Sequence, residues 1–580
     1  MRDFEVWAPR AERVELLLPE ARHPMERGGS GWWRVSVDAP AGSTYAFSLD
    51  GGDPRPDPRG LRLPDGPHGW SQHYDPGAFA WTDDDWAGVG LEGAVVYELH
   101  VGTFTAEGTL DAAVSRLGHL ADLGVTLVEL LPLAPFPGRH GWGYDGVAPY
   151  AVHEAYGGPA ALQRFVDAAH AAGLGVCLDV VYNHLGPDGN YLGDFGPYLT
   201  DAHTTPWGPA LNLDAPDSDP VRRWVLDNVA LWLRDFHVDA LRLDAVHELH
   251  DRRATHLLEE MSAEVDALAG RLGRQLWLIA ESDRNDPGTV TPRGPGAAVG
   301  GLGLHGQWAD DVHHALHVTL TGETQAYYAD FAEPGALAKV LRTPFFHDGT
   351  WSSFRGRSHG RPVDAATVPG WRFVASLQTH DQVGNRAVGD RLSATLSPGR
   401  LACGAALLLT SPWTPMLFMG EEWGARTPWQ YFTDHTDPAL GEAVRQGRRA
   451  EFAAHGWDRA DVPDPQDPAT RDASVLDWAE PGREPHARLL RWYRDLIRLR
   501  REHPDMRDPR LDRARAEHDF DQGTVAVRRG EHLVLLNLAD EPRSLDAEGR
   551  GQVLLSWDAG TTIEQGVVNL APDSAAVLAP

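Results

Sequence analysis

The chain has 580 residues, 42% of them hydrophobic, and a formal net charge of −31 from 52 basic against 83 acidic side chains. That length divides into several domains with a large buried core, and that charge repels phosphate backbones and anionic lipid, so neither nucleic acid nor a membrane surface is an expected partner. Lys339 is the only lysine, which excludes a Walker-type phosphate loop and argues against Schiff-base chemistry.

Residues 1–88 read as an N-terminal Ig-like β-sandwich, with short β-rich segments at 4–8, 13–18, 32–37 and 44–48 separated by Pro, Gly and charged turns. The stretch WTDDDWAGVG at 81–90 then reads as a linker. The N-terminus, MRDFEVWAPR, is charged at once, and no apolar run reaches the length of a membrane span. Cys177 and Cys403 sit far apart inside apolar runs, as small core hydrophobes. A cytoplasmic protein is expected.

Over residues 89–505 the pattern becomes strand, helix, strand, helix. The run AVVYEL at 94–99 predicts a strand covered on both faces. Leu110, Val114, Leu117, Leu120 and Leu123 lie at helical spacing and stop at Gly124, before a second strand at 125–131. A helix over 159–172, a strand at 175–181 and a helix opened by Asp219 as cap and Pro220 follow. The fourth strand is DALRLDAVH at 239–247, with further candidates at 276–280, 303–308, 373–378 and 416–419. Such repetition predicts a (β/α)8 TIM barrel, and the long segments 133–156, 183–215 and 342–368 predict walls of a substrate cleft. Residues 506–580 turn β-rich again, with strands predicted at 524–528, 532–538, 552–556 and 575–578 in a C-terminal sandwich.

In such a barrel the polar residues at the C-terminal ends of strands face one mouth. Those residues are Asp179, Asn183 and His184 after the third strand, Arg242, Asp244 and His247 after the fourth, Glu281 after the fifth, and His380 with Asp381 after the seventh. Asp179 sits within its strand and is expected to anchor neighbouring loop backbone. Metal is the alternative use of such a set, but no His-x-His or His-x-x-x-His occurs among the strand ends, and Arg242 beside Asp244 opposes a cation. His313, His314 and His317 do cluster, on a predicted helix away from the carboxylates. No metal is expected. Cleaving a glycosidic bond needs a proton donor and a carboxylate facing the anomeric carbon. Asp244, kept ionised by Arg242, suits the latter; Glu281, its proton held by like-charged neighbours, suits the former.

The segments DVVYNH (179–184), RLDAVH (242–247), IAESD (279–283) and THDQ (379–382) together resemble conserved regions of the α-amylase superfamily of glycoside hydrolases. The resemblance implies Asp244 as nucleophile, Glu281 as acid/base and Asp381 as transition-state stabiliser. It also implies contacts to the sugar from His184, Arg242, His247, His380, Gln382 and Asn385, with Tyr144 of GWGYDGV stacked beneath it and Asp145 alongside. A wider likeness covers VYELHVGTFTAEGTL, LPLAPFPGRHGWGYDGV, VYNHLGPDGNYL, FHVDALRLDAVH, LIAESDRNDP, GQWADDVHHALH and MGEEWG. It is similar to the branch of the superfamily that frees trehalose from maltooligosyl trehalose, cutting the α-1,4 bond next to the terminal disaccharide with retention and without a cofactor, a step of trehalose biosynthesis. That branch implies a carbohydrate-module-like N-terminal domain and further glucan contacts from Gln307, Trp308, Asp310 and Asp311. It commonly has Asp-Ala where this chain has His305-Gly306, so contacts there are expected to differ from the branch's. A glycogen branching or debranching enzyme shares the barrel and the three carboxylates and remains a rival, as does a non-catalytic glucan-binding protein on the same scaffold.

Overall fold

The computed structural model describes residues 1–294, 300–454 and 462–580. Its centre is a closed barrel of eight parallel strands: β1 (Val96–Leu99), β2 (Leu127–Leu130), β3 (Gly175–Val180), β4 (Ala240–Leu243), β5 (Trp277–Ala280), β6 (Gly306–Trp308), β7 (Phe373–Ser376) and β8 (Thr414–Phe418). Each strand pairs with the next in sequence, and Met416 of β8 lies opposite Val96 of β1 to close the ring. The predicted barrel and all eight predicted strands are present; the first seven are shorter than the runs that announced them because pairing ends where each chain turns into its loop, and the eighth begins two residues earlier than expected, at Thr414.

Helices cover the outside, and their apolar stripes face the strands. The single helix predicted from Leu110 is two, α1 (Leu110–Val114) and α2 (Leu117–Leu123), broken where the Ser115 hydroxyl donates to the Ala112 carbonyl at 2.7 Å. Gly124, at φ 96°, ends α2 in the left-handed conformation that disfavours a side chain. The next helices are α3 (Gly158–Ala171), α4 (Ser218–Ala230), α5 (Leu257–Leu272) and α6 (Asp310–Thr321). Asp219 is not the cap of α4: Asp217 precedes the helix, in a left-handed turn and without a side-chain bond, and Asp219 lies in the first turn, paired with Arg253. Ala309 precedes α6, whose first turn carries Asp310 and Asp311. Among the described residues no helix is long and apolar enough to cross a membrane.

The N-terminal strands form a three-stranded and a four-stranded sheet, and the C-terminal strands a five-stranded and a three-stranded sheet, the latter pair packed around Leu533, Leu535, Val568 and Leu570. The predicted linker is firmly held. Trp86 donates to Asp239 Oδ1 at 2.7 Å and stacks on His170, and Asp83 accepts from His170 and His237 at 2.7 and 2.9 Å. His170 Nε2 and the Val176 amide complete Asp239, both at 2.9 Å. This network closes the floor of the barrel, where the strands begin.

Candidate active site

At the other end of β4, Arg242 is 1% exposed and holds three carboxylates. Its Nη1 lies 2.9 Å from Asp179 and 2.7 Å from Asp244, and its Nη2 lies 3.3 Å from Glu281. The indole of Trp308 lies 4.5 Å from the guanidinium on one side. So buried a cation is costly unless its neighbours are anionic, which is why three carboxyls converge here.

The three differ in surroundings. Asp244 also accepts from Asn183 Nδ2 at 2.7 Å, so each of its oxygens has a donor. Glu281 accepts from the Ala245 amide at 2.6 Å. Burial, reinforced by the charges of Asp244 and Asp381, pushes it up to about 7 against the pull of Arg242. Burial likewise pushes Asp179 to about 7, again opposed by Arg242. Contrary to expectation, Asp179 accepts from no loop backbone among the described residues but from Arg242 and from the Tyr144 hydroxyl, which donates at 2.6 Å. Burial comes first in lifting Glu281, ahead of the like charges that the sequence suggested. Ala245 has φ 37° and ψ 53°, a left-handed conformation unusual for a residue with a Cβ, and this sharp turn brings its amide to Glu281.

His380, at the end of β7, is gripped by Glu98 at the end of β1: Nδ1 lies 2.5 Å from Oε1 and the backbone amide donates to Oε2 at 2.9 Å. Burial pushes the ring down, but the charge and hydrogen bond of Glu98 outweigh it and bring it up to about 9. Tyr144 stacks on this ring at 5.0 Å. His184 bonds Asn183 Oδ1 through Nδ1 and the Tyr144 carbonyl through Nε2, and stacks against Trp207, which is 51% exposed. Asp381 is exposed and accepts from Asn385 Nδ2 at 2.6 Å. Tyr144, His184, Arg242, Asp244, Glu281, Trp308, His380, Asp381 and Asn385 therefore form one connected set.

Asp310 is close by, held well above the usual carboxylate range by burial and then by the charges of Glu281 and Asp381. His247 lies beside the loop after Glu281, its Nδ1 accepting from the Asp283 amide at 3.3 Å. Asp145 is partly buried, 3.9 Å from His435. Gln382 lines a small neighbouring pocket with His313, His317 and Arg386. Asp311 is committed to the 342–368 segment, accepting from the Phe346 and His347 amides at 2.7 and 2.9 Å. Gln307 is fully buried on β6, and its amide has no partner among the described residues. His305 lies before β6, at the floor: its Nδ1 accepts from Leu278 and its Nε2 faces Asp266. The His-Gly departure is thus remote from the mouth.

His313 and His317 are buried in α6 and His314 is partly buried there, and His317 meets Glu323 at 2.8 Å. Among the described residues no group of three or more His, Cys, Asp or Glu is arranged to hold a metal. Sequence reasoning placed Asn183 at the mouth without a partner, and missed Glu98 as well as Trp142 and Trp429, which pack around His380. The signal for Glu98 was a carboxylate inside the otherwise apolar AVVYEL run.

Residues 74–196 match the model of the α-amylase catalytic domain, residues 2–72 that of carbohydrate-binding module 48 (isoamylase N-terminal domain), and residues 509–577 a domain of unknown function. A malto-oligosyltrehalose trehalohydrolase of Arthrobacter ramosus is 59% identical over 541 residues, covering 91% of this chain and 93% of its own. The chain belongs to the malto-oligosyltrehalose trehalohydrolase family. The trehalohydrolase of Rhizobium sp. is 55% identical over 99% of this chain and 97% of its own. A Salmonella typhimurium crystal structure, provisionally called an α-amylase, superposes with a TM-score of 0.90 at 38% identity, covering 100% of this chain and 97% of its own. The trehalohydrolase family is one of glycosidases, so membership favours neither the branching or debranching alternative nor a non-catalytic glucan binder.

Proposed function

We propose that the protein hydrolyses the α-1,4 bond next to the terminal trehalose of maltooligosyl trehalose, releasing trehalose and a shortened maltooligosaccharide. The observation that carries the reading is the bridging of Asp244 and Glu281 by one guanidinium in unlike surroundings. Asp244 is held as an acceptor on both oxygens, ready to attack the anomeric carbon. Glu281, whose burial keeps a proton on it up to about pH 7, protonates the oxygen that departs with trehalose. A buried carboxyl that keeps its proton, beside one that accepts on both oxygens, divides the roles of acid and nucleophile. Once trehalose has left, Glu281 takes a proton from water, which opens the glycosyl–Asp244 ester with net retention.

Asp381, steadied by Asn385, holds hydroxyls of the sugar being cleaved. Tyr144 stacks beneath that sugar, and His184, Arg242, His380 and Asp145 bound it. His247, Trp308, Asp310 and Gln382 border the outer subsites, with Gln307 and Asp311 supporting them from within. No cofactor or metal enters the scheme. The protein acts in the cytoplasm on α-1,4-glucan chains that end in trehalose. Purified protein given maltotriosyl trehalose should release trehalose as its disaccharide product; breakdown of plain maltodextrin without trehalose release would overturn the substrate assignment.

A further inference from the structure

Beneath the mouth two glutamates stand side by side in the inner wall, Glu98 at the end of β1 and Glu129 near the end of β2, paired directly in register. Both are 1% exposed. Two adjacent carboxyls in a dry interior do not ionise together. The surroundings choose between them. Burial and the neighbouring Glu98 push Glu129 up to about 8, and its Oε2 has no partner among the described residues. Glu98 instead accepts on both oxygens, from the amide and from Nδ1 of His380, as only the ionised form does without turning a proton on a donor.

We infer that Glu98 is a positioning residue for the reaction: it fixes the His380 ring as an imidazolium with Nε2–H left as a charged donor to the substrate. The inference rests on the active-site reading above. Nε2 of His380 has no hydrogen bond to any described residue, while every other polar atom of His380 is engaged: the carbonyl by Trp429 Nε1 at 2.8 Å, the amide and Nδ1 by Glu98. Tyr144 stacked at 5.0 Å and the edge contact to Trp142 at 5.9 Å fix the ring plane. A buried ion pair gains little net stability. Its value here is direction and charge: a donor that is ionised binds a hydroxyl more strongly than a neutral one.

Glu98→Gln tests this cleanly, because the amide keeps the size and the acceptor for the His380 backbone but offers an N–H to Nδ1, making the ring neutral while leaving Nε2–H in place. In ¹⁵N-histidine-labelled full-length protein at pH 7.5, the signal that disappears in His380→Asn should be doubly protonated in the wild type and singly protonated in Glu98→Gln. On maltotriosyl trehalose, Glu98→Gln should lower kcat/KM about 10- to 100-fold, the difference between charged and neutral hydrogen bonding. The double variant should be no worse than His380→Asn alone. A neutral His380 in the wild type, an unchanged spectrum in Glu98→Gln, or additive losses in the double variant would overturn the inference. Should Glu98→Gln fail to fold, Glu98→Asp withdraws the charge by one methylene. A lowered kcat with a shifted His380 resonance then supports the clamp, and unchanged values overturn it. Wild-type protein that does not turn over counts against the proposed function alone, since the NMR comparison needs no substrate.

Discussion

Strand β4 is flanked by two buried aspartates, Asp239 before it and Asp244 after it, and each anchors a network of charged and aromatic side chains. At the floor Asp239 has donors from Trp86, His170 and Val176, and His170 passes its other nitrogen to Asp83. There histidine and carboxylate alternate and both oxygens of Asp239 and of Asp83 are supplied with donors, although Arg274 Nε, on the arginine beside Asp239, has no partner among the described residues. At the mouth one guanidinium faces three carboxyls, Arg242 Nε and Trp308 Nε1 lack partners among the described residues, and Ala245 is held at φ 37°. The same residue types thus appear in a matched and an unmatched condition at opposite ends of one strand. A matched network secures the fold; an unmatched one stores electrostatic tension that a substrate can relieve. In barrels of this kind the two ends divide those tasks in the same sense.

The difference is open to attack from both sides. The largest effect should follow Asp244→Asn, which removes charge and not volume. It should cost on the order of 10⁴-fold or more in kcat, as losing a nucleophile does, while thermal unfolding stays close to wild type; substantial turnover would refute the nucleophile. Glu281→Gln should cost about 10²- to 10⁴-fold on the natural substrate, the range for a lost general acid. It should spare the first step with α-maltosyl fluoride, whose leaving group needs no proton, so that kcat/KM holds while kcat falls and the glycosyl–Asp244 ester builds up for want of its base. The same residue fixes a pH effect: wild-type kcat/KM should fall as pH rises through about 7, where Glu281 gives up its proton, and a profile flat to pH 9 would deny it the acid role.

At the floor the signature should reverse. Asp239→Asn should cost about 3 kcal/mol of stability, as when one member of a buried charge pair is removed, with kcat per folded molecule retained, measured by urea unfolding beside active-site-normalised kinetics. Trp86→Phe, which removes one hydrogen bond and keeps the stack on His170, should cost only about 1 kcal/mol. The pH dependence of stability should also split. Asp83 is subject to burial that raises it, outweighed by hydrogen bonds from His237 and His170, so it titrates below the usual range; its stabilisation is present above the unfolded aspartate pKa and lost as pH falls through the lowered folded one. Burial lowers His237, so protonation of the unfolded state also erodes stability as pH drops below the ordinary histidine range. Glu281 and Asp179, raised to about 7, oppose this: ionising them costs stability as pH rises from the ordinary carboxylate range to about 7. Calorimetry across pH should therefore find that Asp83→Asn flattens the loss of stability at low pH, while Glu281→Gln lessens the decline between the ordinary carboxylate range and about pH 7.

Much of this was legible in the chain. Alternating strand and helix periods gave the barrel, and polar residues at strand ends gave the mouth, because the strand repeat places their side chains together whatever the loops do. The loop contacts were not legible. That Asp311 is spent on the Phe346 and His347 amides, or that Ala245 adopts a left-handed turn, depends on how distant segments meet. Glu98 and Glu129 were absorbed into apolar runs whose average hid a single carboxylate. Asp239 read as the first residue of a strand, and the 81–90 segment as a linker, because a stacked Trp–His floor leaves no periodic trace.

The most direct single measurement is ¹H NMR of the purified protein acting on maltotriosyl trehalose, followed from the first turnover. Trehalose should appear together with maltotriose whose new reducing end is first the α-anomer and only later mutarotates. A β-anomer formed first would contradict a covalent step at Asp244, and glucose or maltose released together with a glucan still ending in trehalose would contradict the bond assigned.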